Sequence, residues 1–247
     1  MKRERLLAYA LKYQGDYRSI YQAVKNREAF DQQAYQGTYL TIIDPEYPVE
    51  LLDLKYPPFI LFYCGDLTLL AQKKIAIVGS RVCSDYGRMI TRQITDHLSH
   101  DRVIVSGMAK GIDAVAHYQA IKTGRSIGVL GCGIERIYPK DNLELFKLMK
   151  DHQLLLSEYP GLVAPHRQHF PFRNRLIAAL GSCLIVTEAQ IKSGTLLTVN
   201  EALELNKEVY VVPYNLGNEE SGCNYLIKQG ANIITEVNDL LKIDKNN

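Results

Sequence analysis

The chain has no C-x-x-C pair, no internal repeat, no low-complexity tract and no apolar run approaching the roughly 20 residues a membrane helix needs. Its five cysteines (Cys64, Cys83, Cys132, Cys183, Cys223) are scattered and odd in number, which argues against a disulfide framework or a zinc site and predicts reduced thiols. The opening "MKRERLLAYALKYQGDYRSI" turns polar directly after its basic start, unlike a secretory signal, so a cytoplasmic protein is expected. An excess of one charge is also missing. With 29 basic and 27 acidic residues, net charge alone names no polyanionic partner, and only the local arrangement of charge can do so. Disordered and fibrous classes are excluded by a hydrophobic content of 47% over 247 residues, enough for a sizeable core.

From Lys74 onward, short apolar β-branched runs alternate with amphipathic stretches, the pattern of an α/β fold with a parallel sheet covered by helices. The expected strands are "KIAIVGS" (74–80), "RVIVSG" (102–107), "SIGVLG" (126–131), "QLLLSE" (153–158), "CLIVTE" (183–188), "EVYVVP" (208–213) and "NIIT" (232–235). Residues 1–37 read as a small helical region with an apolar stripe through Leu6, Leu7, Ala10 and Leu11. Residues 38–73 read as a proline-studded connector that packs onto the core, with Pro57-Pro58 forcing extended chain before an apolar strand-like run. The core is expected to occupy 74–247.

Strands of a parallel sheet end at one edge, and ligands bind where neighbouring loops part there. At that edge the chain carries "GSR" (79–81), "SGMAKGID" (106–113), "GCGIERIYP" (131–139), "SEYPG" (157–161), "TEAQIKSGT" (187–195) and "PYNLGNEESGCN" (213–224). Their glycines let backbone amides approach a ligand and the helices that follow direct positive dipole ends at it, while Arg81 and Lys110 add full charges. Phosphate is the expected guest. Known nucleotide fingerprints do not fit: "GSRVCSDYG" lacks G-x-G-x-x-G, Ser106-Gly107 stand where a ribose-binding acid is expected, and no G-x-x-x-x-G-K-[ST] occurs. No cofactor is expected. His166 and His169 have no Cys or Asp neighbours to complete a metal site, and Glu158, Glu188 and Glu201 have a bland reading as caps of the turns they close.

The loop after the fourth of these strands leads into "HRQHFPFRNR" (166–175), with three arginines, two histidines, two phenylalanines and no acid. Arg167, Arg173, Asn174 and Arg175 are expected on or just beyond the strand-exit edge. A single strand of nucleic acid offers both phosphates and ring faces, so Phe170 or Phe172 could stack a base while the arginines hold the backbone. The competing reading makes both phenylalanines core residues and pairs the arginines with Glu158 and Glu188.

The ordered series "IAIVGSR", "VSGMAKGIDAVAH", "GVLGCGIERIYP", "LLSEYPG", "HFPFRNRLIAAL", "VTEAQIKSGTLLTVNEALELNKEVYVVP" and "GCNYLIKQGA" resembles the DprA (Smf) family of bacterial DNA-processing proteins over about residues 38–235. The resemblance implies an extended Rossmann-like fold, single-stranded DNA binding without catalysis, a homodimer, and help in loading RecA recombinase during natural transformation. By motif it implies DNA contacts at Gly79, Ser80, Arg81, Lys110, Phe170, Arg173 and Asn174, with Lys140 a weaker carry-over. Three departures stand out. Glu135 replaces the usual aspartate of the turn before "YP", Tyr214 replaces the glycine usual after "VVP", and the parts flanking the core are shorter than in some relatives. An enzymatic alternative is a Rossmann-like nucleotide phosphoribohydrolase using Glu201, although the doubled glycine of such enzymes is absent at Ser193-Gly194. A third reading gives assembly the main role, through Leu203, Leu205, Leu226 and Ile227.

Overall fold

In the computed structural model residues 2–215 and 217–243 are described. Two short helices, α1 (Arg3–Lys12) and α2 (Tyr17–Lys25), form the N-terminal pair. The segment expected as a connector supplies two strands, β1 (Thr38–Thr41) and β2 (Ile60–Gly65), which pair antiparallel with each other and extend the sheet. All seven expected core strands form, six at narrower bounds and β5 shifted by one residue: β3 (Lys74–Val78), β4 (Val103–Gly107), β5 (Arg125–Leu130), β6 (Leu154–Ser157), β7 (Leu184–Val186), β8 (Val209–Val211) and β9 (Asn232–Ile233). Between them lie α3 (Asp85–Ser99), α4 (Ile112–Thr123), α5 (Leu143–His152), α6 (His169–Leu180), α7 (Gly194–Glu204) and α8 (Gly222–Lys228). The last four residues of the expected core, 244–247, lie outside the described residues.

The sheet order is β1-β2-β6-β5-β4-β3-β7-β8-β9, with β3 to β9 all parallel. Strand alternation assigns each residue to one of two buried faces. Ala76, Val78, Val105, Val129 and Val186 join Leu176, Ile177, Leu180 and Val199 of α6 and α7, whereas Ile75, Ile77, Ile104 and Ile185 join Ile94, Leu98, Ala116 and Ala120 of α3 and α4. Burial on both faces explains why these strands read as unbroken apolar runs. At the β2 end a further cluster packs Leu7, Tyr9 and Ala10 of α1 against Phe62, Leu145 and Leu155, so the N-terminal pair is seated on the sheet. Leu226 is buried and Leu205 and Ile227 pack against the core, so three of the four residues of the assembly reading serve the monomer; Leu203 alone is exposed. Among the described residues no helix is long and apolar enough to cross a membrane.

Candidate nucleic-acid interface

β3 has β4 on one side and β7 on the other, so the loops leaving β3 and β7 part at the carboxyl edge of the sheet. In an open α/β sheet this switch point is where a ligand fits. A groove of about 520 Å³ lies there, lined among others by Gly79, Ser80, Arg81, Arg167, Phe170, Arg173 and Asn174. The turn is tightly built. Ser80 N–H donates to the Glu188 carbonyl (2.8 Å), the Ser80 carbonyl accepts from Ile112 N–H (3.1 Å), and Gly111 meets Ser80 with φ +76°, where a Cβ would stand 2.2 Å from that carbonyl.

α6 explains why neighbouring residues of one motif take different roles. At 100° per residue, Phe170, Arg173, Asn174 and Ile177 share one side of the helix, and all four line the groove. Phe172 and Arg175 share another side, turned toward the N-terminal pair. The Phe172 ring lies 5.7 Å from Tyr17 and 6.4 Å from Tyr56, with the Arg175 guanidinium 3.7 Å from its centre. Arg175 forms a bidentate pair with Glu158, both bonds 2.6 Å, and also donates to the Tyr56 and Phe172 carbonyls. Two expectations are therefore corrected: Arg175 is not a groove cation and Phe172 is not a stacking surface. The helical period separates both from Phe170 and Arg173.

Arg173 is the floor of the groove. It is buried; its Nη1 donates to the Val129 carbonyl, and its Nε donates to Asn174 Oδ1 (3.2 Å). Asn174 in turn donates to the Gly194 carbonyl (3.3 Å), tying α6 to the start of α7. A Cβ on Gly107 would lie 2.4 Å from Arg173 Nη1 and 2.6 Å from Asp113 Oδ2, so the guanidinium and this carboxyl converge on a site only glycine leaves open. Burial pushes the Asp113 carboxyl up to about 6 against the lowering pull of Arg173. Burial also lowers Arg173, with Asp113 opposing, but a guanidinium stays protonated throughout the physiological range. The result is a fixed positive charge under the groove beside an acid that burial raises to about 6.

The walls carry the aromatic and remaining charged groups. Arg81 is exposed and its guanidinium sits 5.6 Å from the centre of the Phe170 ring, which tilts against Tyr138 at 5.5 Å. Arg81, Tyr138, Phe170 and Arg173 also border an adjoining pocket of about 170 Å³ that reaches Lys110. Lys110 is exposed and paired with Asp141 at 2.8 Å, and Lys140 lies beyond both cavities at the start of the next turn. The opposite wall is the beginning of α7, where Ser193, Gly194 and Thr195 line the groove and Ser193 Oγ is buried without a hydrogen-bond partner.

Tyr138, Asp113 and Ser193 join the groove without a signal in the sequence that points to them. Tyr138 sits in an irregular loop without periodicity to place it, and Asp113 read as an ordinary first-turn acid of α4. Glu158 takes the ion-pairing role of the competing reading, whereas Glu188 caps not the turn it closes but a distant one. Glu188 accepts from Ser84 N–H (3.1 Å) and Ser84 Oγ (2.7 Å) at the start of α3, and Glu158 holds Arg175. Glu201 lies two turns into α7 and does not line the groove. His169 stacks on Tyr159 at 4.0 Å, and the described residues contain no group of three or more His, Cys, Asp or Glu side chains placed to hold a metal ion.

Residues 38–244 match the sequence profile of the DNA recombination-mediator protein A family. The chain is similar to the DNA processing protein DprA of Streptococcus pneumoniae, 41% identical over 203 residues that cover 81% of this chain and 72% of the relative. It is equally similar to that of Bacillus subtilis, 41% identical over 207 residues covering 82% and 70%. The X-ray structure of S. pneumoniae DprA superposes with a TM-score of 0.82 at 33% identity, covering 97% of this chain and 92% of that one. A Helicobacter pylori DprA structure, described for its single-stranded DNA binding mode, superposes with a TM-score of 0.77 at 32% identity, covering 84% and 95%. From its profile, its relatives and its mostly parallel nine-stranded sheet, the chain belongs to the DprA/Smf family of DNA recombination mediators.

Proposed function

We propose that the groove binds single-stranded DNA without sequence preference and that the protein, acting in the cytoplasm and without catalysis, protects the strand and helps load RecA recombinase during DNA uptake. The observation that carries this reading is the buried Arg173 guanidinium beneath a wall formed by Arg81, Phe170 and Tyr138, opposite the start of α7. Phosphates meet a fixed cation and helix-start amides, and a base meets an aromatic face that serves any sequence. Gly79, Ser80, Arg167 and Asn174 shape the phosphate side, and Lys110 and Lys140 extend the positive edge. That H. pylori DprA is described as binding single-stranded DNA supports the same role here. A homodimer would set two grooves on one strand and raise affinity through effective concentration.

The test is a fluorescence titration of a single-stranded oligonucleotide and its duplex with the wild-type protein and an Arg81→Ala, Phe170→Ala double variant at two salt concentrations. Preference for the single strand, loss of binding in the variant and a steep fall with salt are expected, because phosphate contacts release counterions. Equal binding of duplex and single strand, or an unaffected variant, refutes the reading. RecA loading is checked by the rate of RecA filament growth on the same oligonucleotide, and the dimer by light scattering.

A further inference from the structure

A second cavity lies at the opposite end of the sheet from the groove. This cleft of about 860 Å³ opens where β3 and β7 begin, between the Pro45–Glu50 stretch, the turn preceding β3, and Gly181-Ser182 after α6. Its size is that of a ligand site. Four cations, Lys73, Lys74, Arg102 and Lys207, line it against two carboxylates, Glu46 and Glu50, while Pro45, Pro48, Val49 and Leu67 give it an apolar side. Val49 is 71% exposed there.

Its amines are unusual in their burial. Lys74 Nζ donates to the Leu70 carbonyl (2.6 Å) and the Gln72 carbonyl (3.0 Å) and meets Glu50 at 3.0 Å, so it is satisfied. Lys207 Nζ donates to the carbonyls of Ala179 and Gly181 at the end of α6 and has no carboxylate within ion-pair distance among the described residues. Burial lowers this amine to about 8, with Lys74 adding to the effect against Glu50 and Asp53. A bound anion would reverse that cost. The chain also shows what kind of anion fits: Glu50, carried by the short 3-10 turn Val49–Leu51 that follows Pro45 and Pro48, already places one carboxylate on Lys74.

We propose that this cleft docks an acidic peptide segment of a partner protein, with a carboxylate at Lys207 and an apolar side chain against Val49 and Leu67. The site stands apart from the DNA groove and does not depend on the function proposed for it.

The probe is a fluorescent peptide Asp-Asp-Asp-Leu-Phe and its control Asn-Asn-Asn-Leu-Phe, titrated by anisotropy. Because Lys207→Met removes a cap of α6 and could unsettle the fold, Val49→Asp and Lys73→Glu at the exposed mouth are measured beside it. Saturable binding of the acidic peptide alone, weakened at least tenfold by Val49→Asp and Lys73→Glu with single-stranded DNA affinity unchanged, is expected. No binding to wild type, equal binding of the control, indifference to both mouth variants, or displacement by millimolar inorganic phosphate alone would overturn the proposal. The last outcome would mark a small-anion site.

Discussion

Replacing Arg175 by methionine separates two arginines that sequence reading treats as equals. The Arg175 and Glu158 side chains are 4% and 6% exposed and joined by two bonds of 2.6 Å, with further donors of Arg175 spent on the Tyr56 and Phe172 carbonyls. Methionine retains the bulk but leaves the Glu158 carboxylate buried without its partner. Breaking such a pair from one side costs about 3–5 kcal/mol. At roughly 2–4 °C per kcal/mol for a chain of this size, the melting midpoint should fall by roughly 6–20 °C. Adding Glu158→Leu should return most of that loss, because an apolar pair of similar volume escapes the desolvation penalty of the ions. The assay is differential scanning fluorimetry of the wild type and both variants, with a single-stranded DNA titration at a temperature where all three are folded. DNA affinity should stay within about twofold of wild type, well under the 1.4 kcal/mol of a tenfold change. A variant that melts like wild type but loses DNA binding would refute the argument and return Arg175 to the groove.

Four other outcomes are expected. Phe170→Ala should weaken single-stranded DNA by roughly 5- to 150-fold, the equivalent of about 1–3 kcal/mol of base stacking, read by anisotropy. With the Asp113 carboxyl at about 6 beneath the groove, a phosphate overhead further favours its protonated form, so binding takes up a proton and affinity should fall as pH rises from 5 to 7. The Asp113→Asn variant should lose that component of the pH profile while remaining folded. The stability contribution of Asp113 has the same sign, since its folded value lies above its usual 3.8 and its contribution declines as pH climbs from about 4 through 6; urea midpoints across that range measure it. Finally, Glu188→Ala should destabilise the protein by about 1.5–3 kcal/mol through the charged hydrogen bonds lost at Ser84, as measured by urea unfolding, without imposing the DNA defect of Phe170→Ala.

What could be read without coordinates divides along physical lines. Strands buried on both faces announce themselves as apolar runs, which is why β3 to β8 were legible, while β9 is an exposed edge strand. β2 is the apolar strand-like run after Pro57-Pro58, but its place beside β6, and the strand β1 that pairs with it, are masked by the prolines and turns of that segment. In the site, helical periodicity already separates Phe170 and Arg173 from Phe172 and Arg175. Which side meets the groove is decided by where Tyr17 and Tyr56 dock, a contact between segments far apart in the chain. Tyr138 and Ser193 lie outside regular elements, and their positions follow from loop packing that no period encodes.

The strand order has a consequence for how the molecule comes into being. β3, β4 and β5 are near neighbours in sequence, and their ladders, such as Lys74 with Val103, close over one helix each. β3 meets β7, from Ala76 with Leu184 to Val78 with Val186, only after everything from α3 to α6 has been placed between them. Closing long loops costs entropy before contacts repay it, so pairings of this span belong late in folding. The groove opens at that β3–β7 seam. A nascent or partly folded chain with β3 to β5 in place therefore has a stable sheet fragment but neither wall of α7 nor floor of Arg173, and capacity to hold a ligand arrives together with the completed native state.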